Sequence, residues 1–452
     1  VKITFLGAAG TVTGSKYLIE NDKFKFLIDC GLFQGLKELR LKNWEPFPTA
    51  PESIDAIFLT HAHIDHSGYL PIMVKNGFKG HIYCTQATFE LCKILLPDSG
   101  FLHEEDAKRA NKYHYSKHHP ALPLYTQQDA ERCLKYFKTV EFNQTYSFFP
   151  DVELVWHRAG HILGASFIEL HIDKQKIIFS GDLGRLNDPI MKAAEPPNSC
   201  QTLIIESTYG DRLHGEEDAL SMIAKTVNET LKRHGTILIP AFAVGRTQAI
   251  MYYLDQLITQ KKIPNIPIYL DSPMAIDATK ILQHHLDEHR LSLNDCYRIC
   301  NRVEYVNTQD ESKTLDQIKT PKIIISASGM LSGGRILHHL KRFGSDPNNT
   351  ILLTGYQAAG TRGARLLNHE KQLKIHGEMH AINAQLVSLS STSAHADYKE
   401  LIQWMKQFQT LPKQIFITHG EANAALAMQK HIFEALKIAA IVPQYKDTFY
   451  FD

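Results

Sequence analysis

The sequence contains no apolar run near the roughly 18 residues that a membrane-spanning helix needs, which argues against an integral helical membrane protein. It has almost no net charge: 49 Lys and Arg stand against 48 Asp and Glu, leaving +1. A global field that gathers polyanions is thereby excluded, and a polyanionic partner would need a local basic cleft. No aromatic-basic cluster or positive tail stands out. Cysteine is sparse, and its seven positions (30, 84, 92, 133, 200, 296 and 300) are odd in number and scattered. A disulfide framework is not implied; reduced thiols and a cytoplasmic location are expected. Internal repeats and low-complexity segments are absent, and the first twenty residues lack the pattern of a secretion signal. With 44% hydrophobic and 21% charged residues, the composition is that of a globular enzyme, and 452 residues exceed one ordinary core.

Histidine, by contrast, is abundant, with 24 residues. Three of them fall in FLTHAHIDHSGYLP (58–71), where His61, His63, Asp65 and His66 form an HxHxDH pattern. A lone histidine is usually structural. Four ligand-type residues in one short loop are harder to dismiss. The loop follows IDAIFL (54–59), a probable buried strand, and α/β folds place their sites at carboxyl ends of strands.

The same grammar recurs along the chain. Asp29 ends FKFLIDCG, His161 lies in GHILGA, Asp182 ends KIIFSGDLG and Glu206 ends TLIIESTYG. Near the other terminus, VSLSSTSAHAD carries His395 and KQIFITHGE carries His419. Each could be a turn former or a core residue taken singly. Their repetition implies that several loops converge on one rim with two metals to bind. Imidazole and carboxylate donors suit Zn²⁺, and Mn²⁺ would be served by the same set. His61, His63 and His161 are expected to share one metal. Asp65, His66 and His419 are expected to share the other, with Asp182 bridging and Asp29 orienting a ligand. Two metals roughly 3.5–4 Å apart can activate a hydroxide between them.

These residues resemble the metallo-β-lactamase superfamily. Glu206, His395 in SAHAD and His419 in THGE resemble the further motifs of its β-CASP nuclease branch, which includes RNase J and the cleavage and polyadenylation endonuclease. The resemblance implies an α/β architecture: an αββα sandwich (1–208 and 376–452) with a β-CASP domain inserted at 209–375. Alternating helical and strand patterns in that block also read as an inserted α/β domain. In it, PAFAVGRTQ (240–248) offers Arg246, and SASGMLSGGR (326–335) offers Ser328, Gly329, Met330 and Arg335 for phosphate binding. TGYQAAGTRGARLL (354–367) adds Tyr356, Arg362 and Arg365.

By resemblance, His395 is the general acid, Glu206 orients it, and Asp65 and Asp182 belong to the catalytic centre. The implied activity is zinc-dependent hydrolysis of RNA, single-stranded for preference, leaving a 5′-phosphate and a 3′-hydroxyl. A compact two-domain bacterial type is expected, with homodimerisation a family habit. DNA is an alternative substrate. Three other readings stand beside the nuclease: a small-molecule metallohydrolase, a di-iron redox protein and a non-catalytic nucleic-acid-binding subunit.

Overall fold

A computed structural model describes residues 1–451 except 115, 216, 217, 356, 359, 390 and 391. Tyr356 therefore lies outside the described residues. The chain divides into two compact units, 1–213 with 395–452 and 214–394.

The first unit is built on two sheets. One has seven strands in the order Thr448–Tyr450, Lys2–Phe5, Tyr17–Glu20, Lys25–Ile28, Ala56–Phe58, His81–Thr85 and Phe137–Val140. The other has six: Gln414–Ile417, Thr202–Ile205, Gln175–Phe179, Ser166–Ile172, Val152–Arg158 and Tyr146–Phe149. Alternate residues of each strand point to one face. Ile3 and Phe5, Phe26 and Ile28, Ile177 and Phe179, and Ile168, Leu170 and Ile172 thus all enter one buried cluster. Aromatic contacts bridge the sheets, with Phe5 5.2 Å from Phe416 and Tyr17 5.5 Å from Phe179. Helices cover the outer faces: Gln86–Tyr113 packs on the first sheet and Ala422–Leu436 on the second. The result is the αββα sandwich. No described helix is long and apolar enough to cross a membrane.

The second unit is a six-stranded parallel sheet, ordered Glu304–Tyr305, Ile268–Leu270, Ile323–Ser326, Ile237–Pro240, Thr350–Thr354 and Gln385–Leu389. Its central strands read as continuous apolar runs because both faces are covered. Ile237 and Ile239 enter the core on one face, while Leu238 enters the core on the other. The partition returns to the first unit at His395, later than the expected residue 376. The physical reason is pairing: Gln385–Leu389 lies parallel to Thr350–Thr354 over five residues, so the stretch before His395 belongs to the second sheet.

A buried ionic network braces this unit. Asp271 accepts from Arg335 at 2.6 Å, Ser312 at 2.5 Å and His339 Nε2 at 2.6 Å, and His339 Nδ1 lies 3.0 Å from Asp316. Burial opposes charge on His339, but its two carboxylate neighbours outweigh it and raise its pKa. A raised folded pKa stabilises fully below the unfolded value of about 6.5 and is lost as pH rises through the folded one. Urea unfolding followed by circular dichroism should therefore show a stability decline as pH rises above about 6.5 that is shallower in His339→Gln.

Candidate metal centre

The strand Ala56–Phe58 delivers the chain into the HxHxDH loop, which closes into the short helix Ile64–Ser67. Neighbouring elements fix its backbone. Trp156 Nε1 donates to Leu59 O at 3.0 Å, and Ser166 Oγ donates to Thr60 O at 2.8 Å. Ser15 N and Cys30 N donate to Asp65 O and His66 O at 2.8 and 2.7 Å. The approach of the Cys30 segment is so close that a Cβ on Gly31 would stand 1.6 Å from Asp65 O. Only glycine fits there.

Asp29, at the end of Lys25–Ile28, is fully buried. It accepts from Thr60 N at 2.8 Å and Thr60 Oγ1 at 2.9 Å, and lies 2.7 Å from His66 Nδ1. A carboxylate on Nδ1 fixes the ring and leaves Nε2 to face inward, the usual arrangement behind a ligating histidine. Thr208 Oγ1 stands similarly behind His419, 3.1 Å from its Nδ1. Thr60 Oγ1 does so for His61 at 3.1 Å.

Two donor groups result. His61 Nε2 lies 3.1 Å from His63 Nδ1, which lies 3.2 Å from His161 Nε2. Asp182 Oδ2 stands 3.4 Å from His61 Nε2 and 3.6 Å from His161 Nε2. In the second group, His66 Nε2 and His419 Nε2 are 2.9 Å apart, and His419 Nε2 is 3.2 Å from Asp65 Oδ2. The other oxygen of Asp182, Oδ1, faces this group at 3.3 Å from His66 Nε2. Asp182 thus presents one oxygen to each group. Its Oδ1 is buried and makes no hydrogen bond among the described residues.

This donor set fits cations. Burial, with the neighbouring imidazoles, pushes the pKa of His61, His63 and His161 down, to about 3 for His63, so each is a neutral lone-pair donor. Burial would raise the carboxyl of Asp182, but His419, His66 and His61 hold it well below the usual range. Facing lone pairs around ionised carboxylates, most of them buried, call for a positive charge between them.

A second arrangement adjoins the first. Glu206, after the strand Thr202–Ile205, accepts from Leu183 N at 2.7 Å and lies 3.2 Å from His395 Nδ1. Ala396 N donates to Leu183 O at 2.8 Å, docking the His395 segment beside Asp182. The His395 ring lies 4.5 Å from that of His161. Burial works against a charge on His395, yet Glu206 and then Asp182 prevail and raise its pKa to about 9.

All these residues sit in the first unit. Sequence reasoning missed Thr60, Thr208 and Tyr209, whose ring stacks 6.4 Å from His395. Their only signal was adjacency to HxHxDH and to Glu206.

The other candidates lie in the second unit. Ser328 Oγ accepts from Ser332 N at 2.9 Å, tightening its own loop. Gly329 O accepts from Gln357 at 3.1 Å, and Met330 O from Gly363 N at 3.2 Å. Arg246 is the buried first residue of the helix Arg246–Thr259. Arg335 and Arg362 are engaged within the protein. Arg335 is engaged by Asp271, Val306 O and Asn307 O. Arg362 donates to Lys374 O, Leu331 O and Ser332 O. Arg362 thus holds the glycine loop's backbone, Arg335 ties the end of that loop to Asp271 and the 306–307 backbone, and Arg365 pairs with Glu370 at 2.6 Å.

An αββα sandwich whose strand ends gather these donors defines a metal-dependent hydrolase. Comparison with known families agrees. Residues 18–207 match the metallo-beta-lactamase superfamily domain and 247–366 the Beta-Casp domain. Residues 379–443 match the "Zn-dependent metallo-hydrolase RNA specificity domain". Ribonuclease TTHA0252 of Thermus thermophilus is 33% identical over 95% of both chains. Transcription termination factor FttA of Methanosarcina mazei is 31% identical over 97% of this chain and 70% of its own. A crystal structure of an Enterococcus faecalis protein of unknown function matches in fold, with a TM-score of 0.56 at 13% identity and 99% coverage of both chains. The chain belongs to the β-CASP branch of the metallo-β-lactamase superfamily, a family of metal-dependent nucleases.

Asp29 should matter without being a ligand. In Asp29→Asn, metal affinity measured by chelator competition is expected to fall about 10- to 100-fold while the fold persists.

Proposed function

We propose that this protein is a zinc-dependent ribonuclease that hydrolyses phosphodiester bonds of single-stranded RNA to 5′-phosphate and 3′-hydroxyl ends. The observation that carries the reading is the Glu206–His395 pair set directly beside a donor cluster with a shared carboxylate. A small-molecule hydrolase has no need of such a pair. The printed description of the family model at 379–443 and the name of the Thermus relative support RNA as substrate.

His61, His63, His161 and Asp182 would hold one zinc, and Asp65, His66, His419 and Asp182 the other. When bound, the two ions supply an acidified water and positive charge for the phosphoryl oxygens. The chain's own groups do the rest. Asp29, Thr60 and Thr208 fix the ligand rings, so that donor geometry exists before substrate arrives. Glu206 accepts the Nδ1 proton of His395 and stabilises the imidazolium. The Nε2 proton of His395 is then the one to be transferred to the departing 3′-oxygen, an alkoxide too basic to leave unaided. The elevated pKa keeps this histidine protonated at neutral pH, as an acid must be. The seven free thiols fit a reducing cytoplasm.

The test uses metal-assayed protein and 5′-labelled RNA, with a DNA strand of the same sequence alongside. Asp182→Ala should lose metal and all cutting. His395→Ala should keep its metal and lose about 10²- to 10⁴-fold in kcat, the usual worth of a general acid. Selective DNA cutting would reassign the substrate. Absence of cutting of either strand by fully metallated wild type would refute the reading.

A further inference from the structure

The long helix Gln86–Tyr113 begins at the metal centre and ends in an unusual stretch. At its start, Thr85 and Thr88 hydroxyls donate to Gly164 O at 2.7 and 2.9 Å, in the turn that carries His161. At its far end the sequence runs AKRANKYHYSKHHPALPLYTQQ (107–128), with four Lys or Arg, three His and no Asp or Glu. Four positive charges here mean that the remainder of the chain carries a net −3. Sequence reasoning found no aromatic-basic cluster, and this one escaped it. Nothing in its composition alone told that these residues would be exposed.

The structure supplies that information. Arg109, Lys112, Tyr113, Lys117, His118 and His119 are all exposed, Tyr113 at 65%. Lys112 lies over the Tyr113 ring at 5.3 Å. Lys108 is held by Glu105 at 2.9 Å, whereas Arg109, Lys112 and Lys117 are in no ion pair found among the described residues. The segment is also held in shape. Asn111 makes two hydrogen bonds to the backbone of Ala121, at 3.0 and 2.7 Å, fixing Ala121 against the helix. A fixed array of cations around an open aromatic face suits a single-stranded nucleic acid: the cations track phosphates and the ring stacks a base. An acidic protein surface would satisfy the charges but leave an exposed tyrosine and three histidines without purpose.

We propose that the exposed residues Arg109, Lys112, Tyr113 and Lys117 form an auxiliary binding surface for the backbone of the RNA strand whose scissile bond lies at the metal centre. The proposal rests on the ribonuclease reading above. From Thr88 to Arg109 the helix rises about 30 Å at 1.5 Å per residue. The surface therefore acts on RNA long enough to reach it. Four nucleotides cover only about 10 Å at a duplex-like 3.4 Å per phosphate, and fall short even at twice that spacing.

The experiment compares zinc-loaded wild type with the triple variant Arg109→Glu, Lys112→Glu, Lys117→Glu, and with Tyr113→Ala, on 4- and 30-nucleotide RNAs. For the triple variant, KM on the 30-mer should rise at least about 10-fold with kcat unchanged, and the 4-mer should be cut as before. The slope of log affinity against log salt for the 30-mer should become shallower by about 2, near 0.7 for each lost phosphate contact. Tyr113→Ala should raise KM on the 30-mer about 5-fold or more. An unchanged KM and salt slope in both variants would overturn the proposal. Equal losses on both lengths would overturn it as well, since the stretch would then act on the fold or the centre. If wild type cuts neither RNA, the ribonuclease reading itself fails, which is a different outcome from either.

Discussion

The carboxylate of Asp182 is the constraint around which the first unit is arranged. It is 1% exposed and ionised, and burying an uncompensated carboxylate is among the costliest things a fold can do. Imidazole nitrogens surround it on both sides at once, 61 and 161 facing Oδ2 and 66 and 419 facing Oδ1, and a cation held by that donor set would supply the compensating charge. Those four histidines arrive from both sheets. His61 and His66 follow a strand of the seven-stranded sheet; His161 and His419 come from the six-stranded one. The donors around this one carboxylate are thus brought together only when the sandwich closes with its strand ends in register. The aromatic core between the sheets supplies that closure, and the site inherits its rigidity from it.

Close backbone crossings are the second condition. Gly181 has a left-handed φ of +52°, and a Cβ there would meet Thr60 at 2.7 Å. That approach joins the Asp182 loop to the residue that fixes both Asp29 and His61. Gly31 permits the equivalent crossing beneath Asp65. The glycines beside the ligands are therefore part of how ligands from separate strands share a few ångströms, and their role is steric before it is chemical.

Much of this was legible in the sequence because it is local. HxHxDH is a six-residue pattern, and Asp29, Asp182, Glu206 and His419 each follow an apolar strand directly. The fold class followed from strand and helix patterns together with those motifs. What was not legible depends on partners distant in sequence. The stretch ending at Leu389 is a strand that could serve either sheet, and only pairing with Thr350–Thr354 decides. The ion pair between Arg335 and Asp271, 64 residues earlier, has no signal in the glycine loop's own sequence. Thr208 and Thr60 are ordinary hydroxyls until a histidine ring stands against them.

The placement of the Glu206–His395 pair has a topological consequence. Glu206 precedes the 214–394 unit by a few residues and His395 follows it immediately. Their contact therefore closes a loop as long as the whole insertion. For a flexible chain of that length the closure entropy is about 4–5 kcal/mol, more than one hydrogen bond to a charged group returns. The contact cannot hold the return segment by itself. It is sustained by the bonds around Leu183, whose N–H goes to Glu206 and whose carbonyl receives Ala396 N. A folded insertion also replaces a floppy loop with one whose ends are already limited in reach. The pair is thus completed only by a residue that follows the second unit in the chain, while the donor residues other than His419 all precede that unit. The Glu206–His395 contact and the β-CASP insertion are tied together by topology, because His395 stands at the point where the chain returns.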